Sequence, residues 1–403
     1  MRQFLITIIQ TITTLSGIEF LILPFVFTQT GIFYPFIVII ICFLTLLSIY
    51  LYRKSQSKIG LYTINEISQR CGGDKIETMS RMFSILYHII SIGMNFTIIS
   101  TTLERMIYVE SNATIDEWWK SGSVLKAMII TLCIPILTLI PNNRIILNFC
   151  HYSSYLFPLF YITQILFSIF VISSKENQME IIFGEDITNT FLLHHFFPSF
   201  CFLLTIFAPF KSKSNNPNVS ISGLIIGYFL IAVIAIFYGV IIGYSVDLQQ
   251  ISLPYAFYIL SLQKGSTLYI INFILNCFLL LLLFIQIIFS FNFILMDIEN
   301  SMFTSWQPSM RRRFILTFFL LSVIGLLFAF FTEINVIVSF NGSISGCYFV
   351  LVFPAIIGYC LAEKKWIKVV SIILLICGII IGALGFANAM ITFSENLIDN
   401  VEL

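Results

Sequence analysis

Apolar runs long enough to cross a bilayer recur along the whole of this 403-residue chain, and that recurrence leaves few folds open to it. A helical crossing takes roughly 20 residues. About eleven runs meet that length, over 4–30, 32–52, 82–104, 124–140, 152–173, 190–210, 221–245, 267–295, 314–332, 335–361 and 368–391. In hydrocarbon every backbone amide and carbonyl must be bonded within the protein, so such runs predict helices. Charged residues make up 10% of the chain, against about 25% in an ordinary soluble domain. The expected fold class is therefore all-α and polytopic. Residues 1–403 form one transmembrane domain with no room for a separate soluble one.

The basic residues give an orientation. With the N-terminus cytoplasmic, 16 of the 21 Lys and Arg fall on inner segments and five, Arg105, Lys120, Lys126, Lys175 and Lys264, on outer ones. This follows the positive-inside rule and supports an odd number of spans, with the acidic tail outside. Arg311, Arg312 and Arg313 read as a solvated anchor at the inner surface. The longest polar stretch, 53–81, has room for a short amphipathic helix around Tyr62–Ile67. Asn112-Ala113-Thr114 is a possible glycan acceptor in an outer loop. A net charge of +1 with no long basic stretch gives no sign of nucleic-acid binding. The nine cysteines lie mostly inside apolar runs, where Cys behaves as a small hydrophobe. They form no CxxC pair or Cys/His cluster, so no metal site is expected. The N-terminus reads as a first membrane helix, not a removed signal peptide.

In a chain that is nearly all helix, function must come from polar groups at membrane depth. Glu19 is the foremost. It lies near the middle of the first run, where an ionisable group costs a few kcal/mol and faces a cavity or a partner. Gly17 loosens the backbone beside it and Pro24 has no amide to donate, so this run is expected to be locally unwound. The sixth run carries His194-His195-Phe196-Phe197-Pro198-Ser199, where Pro198 removes a helix bond. Interruptions in runs one and six point to an inverted-repeat transporter with its site between the broken helices. The bland alternative is two kinked helices with no site. His88 and Asn95 share one face of the third run. Asn95 is a candidate cavity residue, and packing is the better reading for His88. The apolar stretch between Asn276 and Gln286 offers no oxygen at mid-depth and argues against a sodium site on that face. Glu333 reads as an interfacial or vestibule residue.

Several strings resemble the amino acid/auxin permease family of the APC superfamily. Ser16-Gly17-Ile18-Glu19-Phe20-Leu21-Ile22-Leu23-Pro24-Phe25, then Gly31, is similar to its first helix, with Glu19 where a second glycine is expected. Tyr238-Gly239-Val240-Ile241-Ile242-Gly243-Tyr244 resembles its seventh helix, though Val246-Asp247 replaces the usual Phe-Gly. Ser290-Phe291-Asn292 with Asp297-Ile298-Glu299 resembles the end of the eighth, and Asn341-Gly342-Ser343-Ile344-Ser345-Gly346, Phe353-Pro354 and Tyr359 the tenth. The resemblance implies eleven helices and a five-plus-five inverted repeat of LeuT type, with broken helices 1 and 6. The repeats would cover about 4–173 and 190–361, with an extra helix at 368–391. It also implies that Ser16, Gly17 and Ile18 lie near a substrate carboxylate, with Phe197, Pro198, Ser199 and Phe200 opposite.

The expected function is secondary active transport of amino acids by alternating access, with a proton or sodium gradient as driving force and no bound cofactor. Glu19 is the candidate proton carrier. A carboxylate there would repel a substrate carboxylate and attract an amine, so it is alternatively the counter-charge for a cationic substrate. The expected location is a plasma or vacuolar/lysosomal-type membrane. Two other readings stand beside this one. One is a non-transporting sensor of the same fold, disfavoured by short inner segments. The other is an intramembrane acyl or prenyl transferase using His194 or His195, for which no second polar partner or acidic pair is evident. Substrate identity, oligomeric state and direction of transport are not written in the sequence.

Overall fold

The computed structural model describes residues 2–60, 64–111, 122–139, 148, 152–153, 155–174, 196–207, 220–245, 265–302, 309–329 and 334–399. Among them every regular element is helical. In chain order these are α1 (Arg2–Leu15), α2 (Leu23–Thr30), α3 (Tyr34–Ile59), α4 (Ile64–Ser111), α5 (Gly122–Leu139), α6 (Leu156–Ser174), α7 (Phe197–Ile206), α8 (Ile221–Ser245), α9 (Thr267–Met302), α10 (Met310–Ala329), α11 (Ile334–Asn341), α12 (Phe353–Leu361) and α13 (Lys365–Asp399). Six stretches are long and apolar enough to cross a membrane, and four shorter apolar helices accompany them. The chain is an integral, multi-pass membrane protein. Of the sixth expected run only α7 is described, and Asn112, His194, His195 and Glu333 lie outside the described residues.

Two compact bodies interleave along the chain, one of Met1–Leu86, Asn177–Gly243 and Asn335–Leu403, the other of Tyr87–Glu176 and Tyr244–Ile334. In the first, glycines set how closely helices meet. A Cβ at Gly223 would come 2.9 Å from Thr7 Cβ, and one at Gly227 2.7 Å from Thr11 Cβ, so α1 and α8 pack nearly backbone to backbone. Small residues at such seams replace the hydrophobic drive that lipid does not supply. The tenth hydrophobic run is not a plain α-helix. After α11 the chain makes two π turns, Gly342–Gly346 and Tyr348–Val352, before α12. Gly342 lies against the Cys201 backbone of α7, Gly346 against Leu204 and Thr205. Gly378, Gly382 and Gly385 of α13 close on the other side, against Leu351, Ser343 and Cys201. This run is thus clamped between two helices with almost no side chain intervening.

The polar stretch after α3 does contain a short helical arm, beginning at Ile64. It joins the rest of α4 through a sharp turn at Gly72 (φ −149°, ψ 19°) and Gly73 (φ 66°, ψ −163°). Gly73 takes a left-handed φ that other residues adopt poorly.

In the second body, Phe328 of α10 packs its ring on Gly93 of α4. Its carbonyl, one of the last four of α10, accepts a 3.0 Å bond from Lys126 Nζ of α5. Lys126 is 7% exposed, so this cation caps a helix end from inside the protein. His88 stacks parallel on Phe293, centroids 5.4 Å apart, which fits the packing role expected of it. The arginine cluster corrects the sequence expectation. Arg313 grips Glu299 of α9 with two 2.9 Å bonds. Its side chain is 13% exposed, so it ties α9 to α10 and is not a solvated anchor.

Gly342→Ala should be among the least tolerated small substitutions. Its methyl group would fall on the Cys201 carbonyl, which is backbone and cannot rotate away. The expected loss is at the upper end of about 1–3 kcal/mol for overpacking, read as a lower melting temperature in detergent. Gly325→Ala meets only the end of the Ile130 side chain, at 3.1 Å, and should melt within a degree or two of the parent.

Candidate functional site: the break in the first hydrophobic run

The first run is interrupted where the sequence places the interruption. The last α-type bond of α1 runs from Ser16 N to Ile12 O at 2.9 Å. Gly17 is then extended (φ −80°, ψ −172°) and its amide turns back to Leu15 O at 2.8 Å. A 3-10 turn over Ile18–Ile22 follows, opened by the 3.1 Å bond from Phe20 N to Gly17 O. α2 resumes with Pro24 in its first turn, where a missing amide costs nothing. Ser16 also turns its hydroxyl to Thr13 O at 3.3 Å, supplying a partner that the interrupted helix lacks.

This break is buried. Ser16 and Glu19 are each 1% exposed, and Phe20 and Leu21 are fully enclosed. The neighbours are identifiable. Phe20 faces Tyr238 of α8, centroids 6.2 Å apart. Gly239 sits under the Tyr34 ring, leaving room for Tyr34 to donate a 2.7 Å bond to Ala235 O. Gly243 lies against Phe27 and the Pro24 carbonyl. The 3-10 turn and α2 both pack on α7. There Pro198 lies in the first turn of α7 as described. Phe197 and Pro198 are half-buried, while Ser199 and Phe200 are buried. Phe200 stacks against Phe196, centroids 6.2 Å apart.

Of the residues expected at a site, Ser16, Gly17, Ile18 and Glu19 thus share one unwound segment, and α7 with Phe197, Pro198, Ser199 and Phe200 is packed against it. Asn95 belongs to the second body. It is wholly buried, and neither Oδ1 nor Nδ2 has a hydrogen-bond partner among the described residues. Leaving a buried amide unsatisfied costs on the order of 1–3 kcal/mol, and such groups call for an explanation. Two features went unread in the sequence. One is the backing of the break by Tyr34, Tyr238, Gly239 and Gly243; the four-residue glycine spacing was its only signal. The other is the pair Asn341 and Ser345 on the π-turned run, both buried, with Asn341 Oδ1 and Ser345 Oγ unpartnered. Among the described residues no group of three or more His, Cys, Asp or Glu comes together that could hold a metal ion.

The all-helical fold has counterparts among solved structures. MhsT in complex with L-phenylalanine superposes with a TM-score of 0.54 at 13% identity, covering 95% of this chain and 98% of that one. A mutant manganese transporter of Eremococcus coleocola gives 0.53 at 10% identity, covering 97% and 88%. No family model and no curated protein matches the chain in sequence. The fold is that of LeuT-type transporters, and both of these neighbours are transporters and not enzymes.

Tyr34→Phe should loosen the support behind the break. It deletes one buried bond to Ala235 O while keeping the ring. The expected loss is about 1 kcal/mol, measured by thermal unfolding of the purified protein.

Proposed function

We propose that the protein is a secondary transporter of amino acids belonging to the amino acid/auxin permease family, driven by a proton gradient. The observation that carries this reading is the buried break in the first run, which places Glu19, 1% exposed, where the α-helical ladder is interrupted at membrane depth. Unwound helix segments at membrane depth are where transporters of this architecture bind substrate and coupling ion. In this reading Ser16, Gly17 and Ile18 meet the substrate carboxylate, and Phe197, Pro198, Ser199 and Phe200 supply apolar contact. Glu19 carries the proton, since a carboxyl group that gains and loses charge in a dry pocket couples charge movement to binding. The likeness to a protein solved with L-phenylalanine supports an amino acid cargo. The lysine and arginine distribution supports a cytoplasmic N-terminus and a C-terminus on the opposite side, in a plasma or vacuolar/lysosomal-type membrane. A sensor of the same fold would bind substrate without moving it.

Reconstituted protein given a panel of labelled amino acids, with and without a pH gradient, tests the reading. Gradient-stimulated uptake is expected; binding without flux would favour the sensor. Glu19→Gln should insert and fold normally yet lose pH-dependent uptake, and unchanged uptake between pH 5 and 8 would refute the proton role. Competition by lysine and arginine against neutral amino acids adds a second check. Inhibition by the cationic pair alone would make Glu19 the substrate's counter-charge.

A further inference from the structure

We propose that Ser68, Ser80 and Tyr348 form a latch that fastens the arm at residues 64–71 to the π-turned run, and that the latch opens as this run exchanges its π turns for α-helical ones. The hydroxyls of Ser68 and Ser80 are bonded at 3.0 Å, and those of Ser80 and Tyr348 at 2.6 Å. The three residues thus tie the arm, the helix beyond the Gly72–Gly73 turn and the start of the second π turn to one another. Ser68 and Ser80 are fully enclosed, so water does not compete for these bonds. Phe83 stacks on Tyr348 at 4.1 Å with planes 16° apart, fixing the ring that carries the hydroxyl. Ile67 plugs the arm into a cluster of Tyr52, Tyr348, Phe349, Phe353 and Ile357.

What makes this a latch rather than a brace is the state of the run it holds. π turns are rare and concentrate at functional sites. Here two occur in succession, and Asn341 Oδ1 and Ser345 Oγ stay buried beside the first without partners among the described residues. Such a segment carries an uncompensated penalty and has a regular α-helical alternative. Rewinding changes the angle per residue and swings Tyr348 away from Ser80, which frees the arm. An element with two discrete arrangements is what a conformational cycle needs. Only the coupling of this opening to turnover rests on the transporter reading; the latch itself does not.

The test places a cysteine at the wholly buried position 67 (Ile67→Cys) of the full-length protein in liposomes, with the native cysteines replaced. Labelling by a water-soluble maleimide is then timed. The parent should react slowly and faster while a mixture of the twenty amino acids is being taken up. Adding Tyr348→Phe, which keeps the stack on Phe83, should raise the resting rate on the order of tenfold, the scale of one buried hydrogen bond, and erase the acceleration. Ser80→Ala should act alike if Tyr348→Phe fails to fold. A resting rate unchanged in both variants would overturn the latch. An unchanged rate during measurable uptake would show a static brace and overturn its opening. If the parent takes up nothing, the transporter reading fails, and the resting rates still decide whether the latch exists.

Discussion

Backbone amides and carbonyls inside hydrocarbon have no water to turn to, and the first hydrophobic run breaks its ladder where the chain is most enclosed. Everything around Ser16 and Gly17 answers that constraint. The Ser16 hydroxyl and the Gly17 amide each take up a nearby carbonyl. The 3-10 turn restarts the ladder within three residues, and Pro24 enters where it has no bond to lose. Side chains alone would not keep such a segment dry. α8 lies close because Gly239 and Gly243 give way to Tyr34, Phe27 and the Pro24 carbonyl. A broken helix here is therefore a property of two helices, since the glycines of one allow the irregular backbone of the other to be buried.

The same device recurs in the π-turned run. Gly342 and Gly346 admit the α7 backbone, while Gly378, Gly382 and Gly385 admit the run from the opposite side. Close approach of backbones lets dispersion and weak contacts replace the hydrophobic effect, which is largely absent between helices in lipid. It also makes the segment sensitive, because nothing between the helices can relax. That explains why buried oxygens at Asn341 and Ser345 can persist unpaired in so tight a place. In the arrangement seen, close backbone packing outweighs the bonding of these polar atoms.

Much of this was legible in the sequence, and the limits have physical causes. The break at Gly17 was readable because glycine acts on the backbone locally, whereas Pro24, expected to add to the interruption, lies in the first turn of α2. The packing role of His88 was readable from its apolar surroundings. The π turns were not, because an almost wholly apolar run shows no face from which a period could be taken. The pairing of Arg313 with Glu299, 14 residues away, depends on how the intervening connection folds back. Composition could say only that three arginines prefer the interface. Glycines four apart, such as Gly239 and Gly243, define a face, but tertiary structure decides what meets it, and the close seams they form were not read from the sequence.

Shared architecture does not choose the cargo, for two of the solved proteins that superpose on this chain are a protein bound to L-phenylalanine and a manganese transporter. In the proposed reading the choice comes from side chains at the break, where Glu19 stands in the place that the resembled family gives to glycine. A charged carboxylate and a substrate carboxylate would repel one another across a dry segment, so an anionic group could settle at the Ser16–Ile18 backbone only once Glu19 is neutral. Proton uptake and substrate binding are then linked by electrostatics, with no separate coupling element needed. A cationic substrate inverts the linkage, because it binds best when Glu19 keeps its charge and would release a proton on arrival. In the proposed reading one side chain thus sets both what is carried and what drives it, which is why Glu19 is the residue on which that reading turns.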